Sequence, residues 1–166
     1  MKGYAVKSTE DISTVKKKYL TFILDNQYFA VPIEDVMEII SMQEPTKMPD
    51  FPPYVKGIIN LRGKIIPLID LRTRFHRGES DYNDRASVIV VGVREFDIGF
   101  IVDGVDEVID LSRSQIAPPL NMSTEIQNRY ITGVGKYEDR IILLLDSSKV
   151  LSEDELDDIS MGYNIL

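Results

Sequence analysis

The chain contains no cysteine, which removes disulfide bonds, zinc-thiolate centres and thiol nucleophiles together. It has one histidine, His76, so no site with two histidine ligands forms within one chain. A serine-histidine couple would have to use that same residue, in a polar loop. No apolar run reaches the roughly eighteen residues of a membrane-spanning helix, and the first residues lack the apolar core of a signal peptide, so membrane insertion and export are not expected. Asn121-Met122-Ser123 fits a glycosylation sequon, but without an export signal it is not expected to be used. Basic residues are the minority: 19 Lys and Arg stand against 27 Asp and Glu, a net charge of −8. Nucleic-acid partners call for clustered basic side chains and are not expected.

Catalytic and ligand motifs fail on inspection. Gly57 to Lys64 ends in Gly-Lys like a phosphate loop, but it has one residue too many between its glycines, and Ile65 stands where Ser or Thr binds the metal. Asp81-Tyr-Asn83-Asp84 opens like a calcium loop, yet Ala86 and Gly92 occupy the positions that require glycine and glutamate. There is no Gly-x-Ser-x-Gly elbow. The pairs Glu34-Asp35 and Asp103 with Asp106 fall at predicted turns, where carboxylates serve the backbone. A non-enzymatic chain without cofactor or metal is expected.

What the sequence does have is a repeat. Gly57, Ile65, Ile66, Leu68 and Asp70 match Gly133, Ile141, Ile142, Leu144 and Asp146 at one offset of 76 residues (133 − 57). Upstream, Leu20, Phe22 and Leu24 match Ile89, Val91 and Val93, and Val36, Glu38 and Ile40 match Val105, Glu107 and Ile109, at an offset of 69 (105 − 36). The second half therefore carries about seven extra residues, placed between Ser112 and Asn128.

Period-two alternation marks the strands. Tyr19–Leu24 and Phe29–Ile33 form a hairpin around Asp25-Asn26-Gln27. Val36–Ile40 is either strand or helix by pattern, and the proline-rich Met48–Pro53 is a loop. Gly57–Leu61 and Lys64–Ile69 form a second hairpin with Arg62-Gly63 at its tip. The second half repeats the series with Val88–Val93, Ile98–Val102, Val105–Ile109, Ile131–Val134 and Ile141–Leu145. Short, closely spaced strands indicate small barrels or a sandwich, and two copies indicate two barrels. The expected organisation is an N-terminal lead-in over 1–18, an all-β region over 19–151 made of two intertwined barrels at about 19–80 and 81–151, and a C-terminal helix and tail over 152–166. Ser152 and Glu155 form a capping box for that helix.

Alternation also predicts a surface. If Ile89, Val91 and Val93 point into the second barrel, Val88 and Val90 point outward, as does Ile101 between Phe100 and Val102. With Val36 these residues either pack under loops or make an exposed apolar strip of the kind that marks a partner site. Arg62 is either a solvated tip residue or, paired with Glu38, a fixed polar anchor.

Four segments together resemble CheW-type chemotaxis coupling proteins: Lys56-Gly-Ile-Ile-Asn-Leu-Arg-Gly, Pro67-Leu-Ile-Asp-Leu-Arg, Gly99-Phe-Ile-Val-Asp-Gly-Val and Tyr130-Ile-Thr-Gly-Val. The likeness runs from about Tyr19 to Leu151. It implies two SH3-like five-stranded β-barrels with a C-terminal helix, and an adaptor in the cytoplasm at membrane-bound receptor arrays. Its partners would be the regulatory domain of the histidine kinase CheA and the cytoplasmic tip of chemoreceptors. Carried onto this chain, the kinase-binding residues are Glu38, Ile39, Gly57, Ile58 and Arg62, with Met122 on a second kinase-facing edge. The receptor-binding residues are Val36, Val88 and Ile101, lining a groove between the barrels. Phe51-Pro52-Pro53 is richer in proline than the family's usual loop. Two other readings stay open: a regulatory double-barrel module of another kinase or signalling system, and a small-ligand-binding barrel.

Overall fold

The computed structural model describes residues 15–78, 81–119 and 129–164. The first repeat comprises β1 (Lys16–Leu24), β2 (Gln27–Pro32), β3 (Val36–Ser41), β4 (Val55–Leu61), β5 (Lys64–Asp70) and the one-turn helix α1 (Leu71–Arg74). The second comprises β6 (Ser87–Val93), β7 (Phe96–Val102), β8 (Gly104–Ser112), the short β9 (Ile116–Ala117), β10 (Ile131–Tyr137), β11 (Arg140–Leu145) and helix α2 (Glu153–Asn164). Val36–Ile40, ambiguous by pattern, is strand. Its side chains alternate between half-buried and exposed, as on a strand with one solvated face.

Tight turns set the hairpins. Asp25 and Asn26 both have positive φ (51° and 59°), as do Arg62 and Gly63 (51° and 88°). These two-residue loops match the right-handed twist of the strands they join.

The strands order as β8-β1-β2-β11-β10-β9 in one sheet and β3-β6-β7-β5-β4 in the other. In the first, β8 and β9 are one path broken by a 3-10 turn, so the sheet closes into barrel A. In the second, Thr46 beyond β3 bridges to Ile58 of β4 and closes barrel B. Replacing each strand by its repeat partner turns one order into the other. Each barrel nevertheless takes its first hairpin from the opposite repeat: β1-β2 lies in barrel A with the second-half strands, and β6-β7 lies in barrel B with the first-half strands. A cut near residue 80 thus separates the repeats and not the barrels.

Two parallel pairings seal the exchange, β11 with β2 (Leu144 opposite Ala30) and β5 with β7 (Leu68 opposite Gly99). They leave both faces of the exchanged hairpins covered. One face of each points into its own barrel, packing Tyr19, Ala30, Ile109 and Leu111 in barrel A and Ile59, Ile66, Val88 and Ile101 in barrel B. The other face enters a shared core between the barrels, where Leu20, Phe22 and Phe29 meet Ile89, Val91 and Phe100. Among the described residues the barrel interiors are packed with these apolar side chains.

The residues that match between the halves have structural reasons. Asp70 caps α1, accepting the Arg72 backbone N–H at 2.9 Å, and Asp146 accepts that of Ser148 at 3.0 Å. Gly57 and Gly133 both sit at a register shift in their hairpin, where the barrel-closing segment crosses. A Cβ on Gly57 would lie 2.3 Å from the Thr46 carbonyl oxygen, and Gly57 has φ +143°. One on Gly133 would lie 2.9 Å from Ile116.

Helix α2 opens with the expected capping box: the Ser152 N–H donates to Glu155 at 2.8 Å, and the Glu155 N–H donates to Ser152 Oγ at 3.1 Å. Glu155 also accepts from Tyr54 at 2.9 Å and from Arg74 at 2.7 Å, pinning the helix to barrel B. Burial raises the Glu155 pKa, but these hydrogen bonds and the Arg74 charge outweigh it and hold the carboxyl below the ordinary glutamate value.

Two outcomes follow. Gly57→Ala should cost about 3 kcal/mol in denaturant unfolding, the sum of a strained φ and a backbone clash; a loss under about 0.5 kcal/mol would contradict the seam geometry. Glu155 has a depressed folded pKa, so its stabilisation is full above the unfolded glutamate value of about 4.3 and disappears as pH falls through the lower folded value. Glu155→Gln should therefore flatten the acid limb of a stability-against-pH curve, and an unchanged limb would count against this role.

Candidate functional site

Barrel B has a seam. β3 and β4 are the ends of its sheet order, and beyond the Thr46–Ile58 bridge no strand ladder joins them. Across this gap the Arg62 guanidinium donates to the Glu38 carboxylate. The hydrogen bond and the charge of Glu38 raise the Arg62 pKa above that of a free arginine. Arg62 stays 69% exposed at its side chain, so the pair is a surface feature that a partner can reach. Ile39, beside Glu38, is 44% exposed, and Ile65, on the strand after the tip, is 39% exposed. An arginine paired with a carboxylate on a barrel that also carries exposed isoleucines has the composition of a binding hot spot. Next to it Lys64 pairs with Asp97 at 2.8 Å.

The predicted kinase-facing residues separate into two groups. Glu38 and Arg62 pair across the seam, and Ile39, the next residue along β3, is exposed on the strand's other face. Gly57 and Ile58 are buried at the barrel closure, so they shape the seam without being exposed to a partner. Met122 lies outside the described residues.

The predicted receptor-facing set is corrected. Val88 is fully buried and Ile101 is 2% exposed; they pair across β6 and β7 inside barrel B, with Val90 beside them. The expected in-and-out assignment is inverted, because Ile89, Val91 and Val93 face the core between the barrels. Alternation identifies two faces of a strand, but when both are apolar and both are buried it does not say which core each one enters. Val36 alone of the three is half-buried, packed on the rim of the inter-barrel core. Its repeat partner Val105 sits on that core in the same way.

The second barrel carries a counterpart that residue matching at the hairpin tip did not reveal. Arg62 falls opposite Glu138, yet barrel A still has its ion pair. Arg140, at the position of Lys64, binds Glu107 and Asp106 at 2.9 Å each, and Glu107 is the repeat partner of Glu38. Its guanidinium lies 4.7 Å from the Tyr28 ring centroid and 5.4 Å from that of Tyr137. Val108 and Ile141, the partners of Ile39 and Ile65, are 49% and 55% exposed. The signal for this face was present in the offsets, since Ile65 and Ile141 already matched.

The two arginines differ in how firmly they are held. Arg140 is 23% exposed between two carboxylates and two rings, whereas Arg62 has one partner among the described residues and is mostly solvated. Arg140→Ala should therefore lower stability by about 1 kcal/mol in chemical denaturation, through lost charge-assisted hydrogen bonds and ring contacts. Arg62→Ala should leave the midpoint unchanged, and the reverse order would overturn this assignment.

Among the described residues no helix is long and apolar enough to cross a membrane. A CheW-like domain model matches residues 18–155. The chain is 35% identical over 156 residues to a chemotaxis protein CheW of Klebsiella aerogenes, covering 94% of each. It is 32% identical over 149 residues to that of Bacillus subtilis, covering 88% of this chain and 93% of the relative. The crystal structure of the scaffolding protein TtCheW from Thermoanaerobacter tengcongensis superposes with a TM-score of 0.78 at 33% identity, over 85% of this chain and 96% of that one. The intertwined double barrel, its repeated glycines and capping aspartates, and these matches along most of its length agree: the chain belongs to the CheW-like family.

Proposed function

We propose that this chain is a non-enzymatic chemotaxis adaptor that couples transmembrane chemoreceptors to the histidine kinase CheA, working in the cytoplasm at receptor arrays. The observation that carries this reading is the Glu38–Arg62 pair across the barrel B seam, an accessible polar anchor on a barrel that also exposes Ile39. The kinase regulatory domain docks here, and Gly57 and Ile58 keep the seam closed from below. The equivalent face of barrel A, with Val108, Ile141 and the Glu107–Arg140 pair, supplies a second contact. Two different faces meeting two faces of a homologous domain generate heterologous contacts, which close into rings when the rotation permits.

The receptor tip, an amphipathic helix in this reading, lies in the groove at the rim of the inter-barrel core against Val36. Val88 and Ile101 contribute from within barrel B by supporting β3, the strand that carries Val36. No bond is made or broken. Holding receptor and kinase on one rigid platform raises their effective concentration, and a conformational bias in the receptor then shifts the kinase through the difference in its contacts with the two states.

The test is binding of purified wild-type and variant chains to a kinase regulatory domain and, separately, to a receptor cytoplasmic fragment. Arg62→Ala should weaken the kinase interaction by about tenfold, as truncation of an interfacial arginine does, and leave receptor binding unchanged. Val36→Ala should do the reverse. Equal loss of both partners from either substitution, with the fold intact by circular dichroism, would contradict the assignment of separate faces.

A further inference from the structure

Arg62 stands at the first position of a two-residue turn, where it adopts φ +51°. This left-handed conformation disfavours side chains other than glycine, asparagine or aspartate. The tip is exposed, a Cβ on Gly63 would meet open space, and among the described residues the side-chain partner of Arg62 is Glu38 on another strand. The ladder of the hairpin runs up to Leu61 opposite Lys64, and a side chain ties the turn beyond it. The tie is Asn60. Its side-chain Oδ1 accepts the Gly63 backbone N–H at 2.8 Å, closing the turn around Arg62 from the strand side.

The equivalent tip of barrel A lacks this brace. There the position of Asn60 is taken by Lys136, and that of Gly63 by Asp139. Arg140 does not need it, being fixed by two carboxylates and stacked on two tyrosines. The side-chain brace thus occurs on the barrel whose arginine is exposed and otherwise loosely held.

We infer that Asn60 is a positioning residue: its hydrogen bond to Gly63 pre-organises the tip so that Arg62 is presented across the seam, paired with Glu38, before a partner arrives. The inference rests on the proposed role of Arg62 in kinase docking. It places Asn60 in the affinity of that face although its side chain points into its own turn. Pre-organised groups lose less freedom on binding, so the brace strengthens docking without touching the partner.

The test uses the full chain. Asn60→Ala should weaken binding to the kinase regulatory domain by about fivefold, the size of one neutral hydrogen bond. Asn60→Asp, whose carboxylate accepts the same N–H, should restore it. In an Arg62→Ala background Asn60→Ala should have no further effect, because Asn60 acts through Arg62. An undiminished loss in that background, or wild-type affinity for Asn60→Ala, would overturn the inference. Side-chain 15N relaxation of the Arg62 guanidinium in the free protein reads positioning without the kinase. It should show an ordered Arg62 in wild type and Asn60→Asp and a mobile one in Asn60→Ala; equal mobility in all three would also overturn it. Should Arg62→Ala bind the kinase normally while relaxation behaves as expected, the docking assignment fails and the positioning role stands.

Discussion

The rest of the structure depends on the parallel pairing of β2 with β11 and of β5 with β7. Through these ladders each repeat gives its first hairpin to the other's barrel. A repeat left alone would expose one apolar face of its hairpin and open the barrel meant to receive the partner's. The shared core follows from this, since Phe22 and Phe29 from one hairpin and Ile89 and Phe100 from the other face each other between the barrels. Burial of such side chains contributes about 1.5 to 3 kcal/mol each. Removing one hairpin therefore removes contacts from both barrels at once. The resulting body is rigid because each exchanged hairpin fills its own barrel with one face and the core shared with the other barrel with its opposite face.

That rigidity gives meaning to the surface. Duplication placed a carboxylate, an arginine and two exposed aliphatic side chains on equivalent parts of both barrels, and divergence then made the copies unlike. In barrel A the arginine shifted along the hairpin and became enclosed by Tyr28, Tyr137, Asp106 and Glu107. In barrel B it stands at the tip, exposed, paired with Glu38 and with a brace in the turn beneath it. An ion pair that is already satisfied internally adds to stability, while one that remains accessible is available for recognition.

Much of this was legible in the residues. Strand periodicity and turn residues located both hairpins of the first repeat, and Ser152 with Glu155 marked the helix start. The repeat offsets gave the correspondence of strands that the two sheet orders obey. Asp70 and Asp146, which match across the repeat, are both caps, and Gly57 and Gly133 both permit a close crossing. Which hairpins the intertwined barrels exchange was not legible, because a repeat reads the same whether its copies fold separately or swap strands. The orientation of Val88 and Ile101 was lost for the same reason: once β6 and β7 serve two cores, neither face is polar. The Glu38–Arg62 pair was readable as a possibility, but its position across an unpaired seam depends on where the sheet ends.

The claim that the two barrels form one cooperative unit can be tested by native-state hydrogen exchange of the full chain. Backbone amides in barrel A, such as that of Ala30, and in barrel B, such as that of Phe100, should exchange with the same free energy, equal to that of global unfolding by denaturant. Amides of one barrel opening at a distinctly lower free energy while those of the other remain protected would contradict it.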